Sequence, residues 1–207
     1  MSTTSSTLLP SLEADTTALS QLLVKVLQRD TIPSLTFTDP WGTAVAVEAK
    51  KKETRSWPAP REYWRCPLAI HISGTLTPQA KMICDEAPFR EVLEKAGYSW
   101  DLRQRFIWNL PLKHIIAIAW LEDVERIRPD YQVDQQERYF GNYRPGRYAW
   151  NFGAVHRLKQ PVVAVGRLGL WQWTPPESFW TEIQGQLDQL RGTVDMTQPA
   201  PFEPTTY

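Results

Sequence analysis

Lys50, Glu53 and Arg55 fall within six residues of one another, in the stretch VEAKKKETRSWP. An ammonium, a carboxylate and a guanidinium at one corner can hold a polar ligand, or they can neutralise one another as ion pairs, which contribute little when exposed. A lysine taken out of water can also work as a base, because burial disfavours its charged form. Glu122 and Asp123, at the end of the apolar run HIIAIAWLEDV, are the carboxylates available as its partner. Lys50, Glu122 and Asp123 are therefore the candidates for catalysis. Residues 50–65 carry six basic side chains against two acidic ones, with Trp57, Tyr63 and Trp64 interleaved. Basic and aromatic residues together suit a groove that meets phosphates and bases at once. Lys51, Lys52 and Arg65 are the candidate phosphate contacts, and Trp41 and Trp57 the candidate apolar walls. The plainer alternative is a solvated helix end followed by a loop.

The elements that must position these groups are legible from periodicity. Leu19, Leu22, Leu23 and Val26 recur at helical spacing. SLTFT alternates as a strand, and Asp39 then offers a cap with Pro40 at the first helical position. A helix is expected from there through Trp41, Ala44 and Val45 toward Lys52, with ETRSW returning as a strand. Alternation puts Glu53 and Arg55 on one side of that strand. CPLAIHIS, HIIAIAWLEDV, GRYAWNFGAVHRL and QPVVAVGRL read as further strands, and GLWQW is ambiguous. Thr77-Pro78 opens a helix, Pro88 interrupts it, Gly97 ends it, and Pro175-Pro176 starts a last helix through about Leu190. Strands outnumber long helices. The expectation is an α+β class, a small mixed barrel or curled sheet flanked by helices.

Composition narrows the functions. The 207 residues carry 23 basic and 23 acidic side chains, so any nucleic-acid role must come from a local patch or pocket and not from overall charge. Two cysteines without CxxC spacing and three scattered histidines give no disulfide framework and no zinc motif. No metal or cofactor is expected. The N-terminus lacks the pattern of a signal peptide, and no apolar run approaches the ~20 residues that span a bilayer. A cytoplasmic protein without a membrane partner is the expectation.

PWGTAVAVEAKKKETRSW resembles the signature of the ASCH domain (activating-signal-cointegrator homology) of the PUA-like superfamily: Pro-Trp, a helix, then G-x-K-x-x-E-x-R. Pro40 and Trp41 match the opening, and Lys50, Glu53 and Arg55 match the K, E and R, while Glu48 stands where the family has glycine. RCPLAIHIS is similar to the family's next strand, and GRYAWNFGAVHRLKQPVVAVGRLGLWQW to its closing strands. The likeness spans residues 35–173. It implies a PUA-like pseudo-barrel of mixed strands flanked by helices, with a cleft floored by Lys50 and shaped by Glu53 and Arg55. The resulting division is an arm with one amphipathic helix (1–30), the ASCH/PUA-like domain (31–174), and a C-terminal helix with an unordered tail (175–207). The resemblance implies binding of RNA, or of a single-stranded, modified or flipped base. It leaves two alternatives: a small metal-independent hydrolase at the same cleft, an amidohydrolase or ribonuclease, and a protein-interaction module using the N-terminal arm or C-terminal helix. The catalytic relatives carry a threonine three residues after the lysine. Here that position is Glu53, which weighs against the amidohydrolase reading.

Overall fold

The computed structural model describes residues 9–101 and 107–195. The order of elements is α1 (Leu9–Leu27), β1 (Ile32–Phe37), α2 (Trp41–Ala46), β2 (Lys52–Arg55), β3 (Cys66–Ile72), α3 (Pro78–Cys84), α4 (Phe89–Lys95), β4 (Trp100–Asp101), β5 (Ile107–Trp108), β6 (His114–Arg126), α5 (Gln135–Arg138), β7 (Tyr148–Val163), β8 (Leu170–Trp173) and α6 (Glu177–Asp195). The expected mixed α+β class is observed: one six-stranded sheet, order β2-β7-β6-β3-β1-β8, flanked by helices. Among the described residues, only β1 and β3 run parallel, joined by the crossover through α2 and β2; the other pairs are antiparallel.

The sheet curls strongly. Its register shifts once between β3 and β6, at Ile70/His71, and three times between β6 and β7. Each bulge adds local twist and bend. The result is visible at Arg55. Strand β2 is separated from β1 by three strands in the sheet order, yet the Arg55 guanidinium donates to the Thr36 carbonyl at 3.0 Å and lies 5.4 Å from the Phe37 ring centre. A side chain thus bridges the gap between two strands that do not pair, as a pseudo-barrel requires.

Both faces of the sheet are covered, which explains why the long strand β6 reads as a nearly continuous apolar run. Inside the curl, Leu35, Phe37, Leu68, Ile70 and Trp150 pack with Val45 and Ala46 of α2. On the outer face, Ala69, Ile115 and Ile118 pack with Leu22, Leu23 and Val26 of α1 and Phe179, Ile183 and Leu187 of α6. The two terminal helices thus share one hydrophobic cluster with the sheet. Among the described residues, no helix is long and apolar enough to cross a membrane.

The helix expected to reach Lys52 stops at Ala46. Glu48 takes a left-handed φ of 59°, and the Lys50 N–H turns back to the Ala44 carbonyl at 3.0 Å. This is the position where the resemblance expects glycine, and the geometry gives the reason: a left-handed turn that glycine adopts without steric cost. The short helix is wedged close to the sheet at Gly42, where an added Cβ would overlap Ile72 and meet the Phe37 Cβ at 3.0 Å.

Asp39 organises the start of α2. The cap falls at Pro40, one residue later than expected, while the Asp39 carboxylate still accepts from the Thr43 N–H at 2.9 Å and the Thr43 hydroxyl at 3.1 Å. Complete burial raises its pKa to about 6, against the opposing pull of these two hydrogen bonds. A folded-state pKa raised above the unfolded value of 3.8 means that the group favours folding below pH 3.8, and that this contribution is lost as pH rises through about 6. Asp39→Asn removes the charge, keeps the bond from the Thr43 N–H and reverses the other, its amide donating to Thr43 Oγ1. Denaturant titrations at a series of pH values are therefore expected to show the parent losing up to about 3 kcal/mol relative to Asp39→Asn between pH ~4 and ~7.

Candidate functional site

The Lys50 side chain is fully buried. Its ammonium donates to the Phe140 carbonyl at 2.8 Å and to the Lys52 carbonyl, and it stands 3.4 Å from Glu53 Oε2. Glu53, 8% exposed, meets Arg55 through its other oxygen, with Oε1 2.8 Å from Arg55 Nε. Lys50, Glu53 and Arg55 therefore converge as their spacing predicts, in a fixed order: lysine behind, carboxylate in the middle, guanidinium bridging to β1.

The order decides which group faces a ligand. A cavity of about 480 Å³ opens between α2, the segment before α4 and residues 139–142, and Trp41, Glu53, Thr54, Phe89, Tyr139 and Phe140 are among its lining residues. A second cavity of about 360 Å³ adjoins it, sharing Trp41, Glu53 and Thr54 and extending to Thr36, Arg55, Trp57 and Arg147. Lys50 lines neither cavity. The lysine expected to floor the cleft instead lies beneath its floor, and the acceptor that lines the cavities is Glu53. Each carboxylate oxygen has about two lone-pair sites, so one ionic contact per oxygen leaves acceptor capacity for a ligand.

The cleft wall is aromatic and rigidly tied. Trp41 meets Phe89 edge-on at 5.7 Å, and Phe89 meets Phe140 in the same way at 5.0 Å. Trp57 stands edge-on to the buried Trp150 at 4.8 Å, and Trp150 donates its indole N–H to the Trp57 carbonyl at 3.3 Å. Residues 139–142 follow α5, and four hydrogen bonds hold the helix and this segment to the lysine turn and β2. Phe140 accepts from Lys50, the Asn142 N–H donates to Thr54 Oγ1 at 3.0 Å, and the buried Glu137 accepts from the Lys51 N–H at 2.7 Å and the Lys52 N–H at 3.0 Å. The Tyr143 hydroxyl also donates to Glu137, at 2.8 Å; burial and this neighbouring carboxylate raise the Tyr143 pKa and keep the phenol protonated.

The remaining sequence candidates lie elsewhere. The Lys51 ammonium is at the surface, 2.8 Å from Glu48. Lys52 donates to Asn151 Oδ1 at 2.6 Å and lies over the Tyr131 ring. Asn151 donates in turn to Asp123, which places Asp123 in this separate polar cluster. Glu122 is exposed and sits over Gly153. Arg65 is exposed, with a left-handed φ of 54°. None of these five lines either cavity, so the geometry joins Lys50 to Glu53 and not to Glu122 or Asp123. His71 is a buried core histidine: Nε2 donates to the Ala164 carbonyl at 3.1 Å, Thr36 Oγ1 is 3.2 Å from Nδ1, and burial lowers its pKa. The reading from sequence missed Phe89, Tyr139 and Phe140. The aromatic pair at 139–140 just after a charged run was the signal present, but nothing local says that it folds against α2.

No family model and no curated protein matches the chain. Among solved structures it is similar to the crystal structure of ASCH from Zymomonas mobilis, at 12% identity over 75% of this chain and 94% of that chain, with a TM-score of 0.37. The fold and the site together define a mixed α+β domain with an aromatic, carboxylate-floored cleft.

Removing Lys50 leaves Glu53 buried against Arg55 alone and strips the donor from two carbonyls. Breaking one partner of such a buried pair is strongly destabilising. Lys50→Ala is expected to lower unfolding stability by about 3–5 kcal/mol, measured by chemical denaturation. A change below about 1 kcal/mol, the worth of an exposed pair, would contradict the buried role.

Proposed function

We propose that this cleft binds a nucleobase, presented by single-stranded RNA or as a flipped or modified base, and reads its hydrogen-bond donor edge with Glu53. The observation that carries the reading is a buried carboxylate, fixed on both sides by Lys50 and Arg55, at the junction of two adjoining cavities walled by Trp41. The larger cavity, about 480 Å³, has the size of a small-molecule site. Aromatic side chains offer a base its stacking surface, and a carboxylate accepts from exocyclic amines such as cytosine N4. An ionised carboxylate has no donor of its own, so bases with an amine edge are preferred over uracil.

The basic run plays a smaller part in this reading than its charge suggests. Lys50 is buried, Lys51 faces Glu48, and Lys52 is held by Asn151. Recognition rests on stacking and on Glu53, with Arg55 and Arg147 as the nearby cations at one end.

Tryptophan fluorescence and calorimetric titrations with the four nucleosides and with short single-stranded RNA test the proposal. Saturable binding is expected, with cytidine and guanosine ahead of uridine. Trp41→Ala is expected to weaken it about tenfold or more, the worth of one stacked base. Glu53→Gln, checked for folding by circular dichroism, is expected to abolish the preference over uridine. Absence of saturable binding in the parent, or equal affinity in Trp41→Ala, would sink the reading. Multiple turnovers of a nucleoside or RNA in the presence of chelator, lost in Glu53→Gln, would reassign the cleft to a hydrolase.

A further inference from the structure

The base cavity does not end at its own wall. A third cavity, of about 610 Å³, shares Ala87, Pro88 and Tyr139 with it and continues to Asp134, Gln135 and Gln136. The two therefore meet across Tyr139 and Pro88. Tyr139 is 62% exposed, one of the most exposed large apolar-bodied side chains among the described residues. Its neighbour Phe140 is fully buried and accepts from Lys50, so Tyr139 is an aromatic ring carried on an anchored backbone. Behind it, Gln135 and Gln136 present exposed amides, each with both donor and acceptor atoms. Asp134 is already occupied in accepting from the N–H groups of Gln136 and Glu137.

We infer that the second cavity of this trough is a subsite for the neighbouring base, so that the ligand is a dinucleotide step and not an isolated nucleoside. The inference rests on the base-binding reading of the Glu53 cavity. Tyr139 stands at the boundary and supplies the stacking surface for the second base, and Gln135 and Gln136 meet that base's edge. Amides that both donate and accept pair with any base edge, so this subsite selects by ring and size more than by base identity. The contrast with Glu53, which only accepts, makes the two positions unequal: one discriminates and the other adds affinity. Among the described residues, no lysine or arginine lines either of these two cavities, so the gain from the second nucleotide comes from stacking and hydrogen bonds and not from counterion release.

The test compares one nucleoside, whichever of the four binds best, with dinucleotides built on it, by calorimetry on the full chain. The dinucleotide is expected to bind about tenfold more tightly than the nucleoside, the contribution of one stacked base. That ratio is expected to hold within about twofold between ~50 and ~200 mM salt. In Tyr139→Ala it is expected to fall below about threefold, and in Tyr139→Phe, which keeps the ring, it is expected to be retained. Equal affinity of nucleoside and dinucleotide in the parent would overturn the subsite while leaving the Glu53 cavity intact. So would a ratio that collapses with salt, since the gain would then belong to the added phosphate. A ratio unchanged in Tyr139→Ala would also overturn it. Failure of nucleoside and dinucleotide alike to bind would remove the base-binding reading itself, and the subsite with it.

Discussion

The Lys50 ammonium is the point on which the cleft is built. A charge this deeply buried is tolerated only when it is paired and hydrogen-bonded, and here three acceptors surround it: the Glu53 carboxylate and the carbonyls of Lys52 and Phe140. Those acceptors come from two places in the chain: the first two residues of β2, and the segment just after α5 some ninety positions later. Satisfying one donor group therefore fixes the distance between the floor of the cleft and its far wall. The carboxylate it neutralises is then free to face outward without being an unpaired buried charge. Arg55 completes the arrangement from the other side and carries it across the open seam of the curled sheet to Thr36.

Two other buried carboxylates do comparable work at the borders of the site. Asp39 holds the first turn of α2 through Thr43 and so sets the position of Trp41. Glu137 takes two consecutive backbone N–H groups of the lysine turn and the Tyr143 hydroxyl, satisfying donors that the turn leaves without a strand or helix partner. Each replaces backbone pairing at a place where the chain leaves regular structure. The cleft thus lies beside the sheet edge β2 and reaches, through its second cavity, the end of β1 beyond the pairing with β8, and its walls are held by side chains doing what a ladder does elsewhere. Polar networks of this kind specify a unique arrangement when every member is satisfied.

Much of the framework was legible in the sequence because its causes are local. The apolar run of β6, the proline breaks around α3 and α4, Gly97 with its φ of 85°, and the helical spacing in α1 all depend on residues a few positions apart. So does the convergence of Glu53 and Arg55, which follows from the two-residue period of a strand. The end of α2 was misread because Val47, Glu48 and Ala49 have nothing against a helix in their side chains. What stops it is the left-handed turn at Glu48 and the return of Lys50 to the Ala44 carbonyl, which the burial of Lys50 requires. The final strand, ambiguous by pattern as GLWQW, is settled by pairing with β1, a partner more than 130 residues away.

By itself, then, the sequence determined the α+β class, the order of elements and the charged triad, since periodicity, turn chemistry and short spacings are properties of neighbouring residues. Only the tertiary structure decided which member of the triad faces the cleft. Lysine and glutamate three positions apart are equivalent on paper, and their exposure depends on whether a distant carbonyl, that of Phe140, is there to receive the ammonium. The same holds for the aromatic wall of Phe89, Tyr139 and Phe140, and for the separation of Asp123 from Lys50. These are consequences of how far a bulged sheet curls and of which loops its closing edge brings together, and no local pattern carries that information.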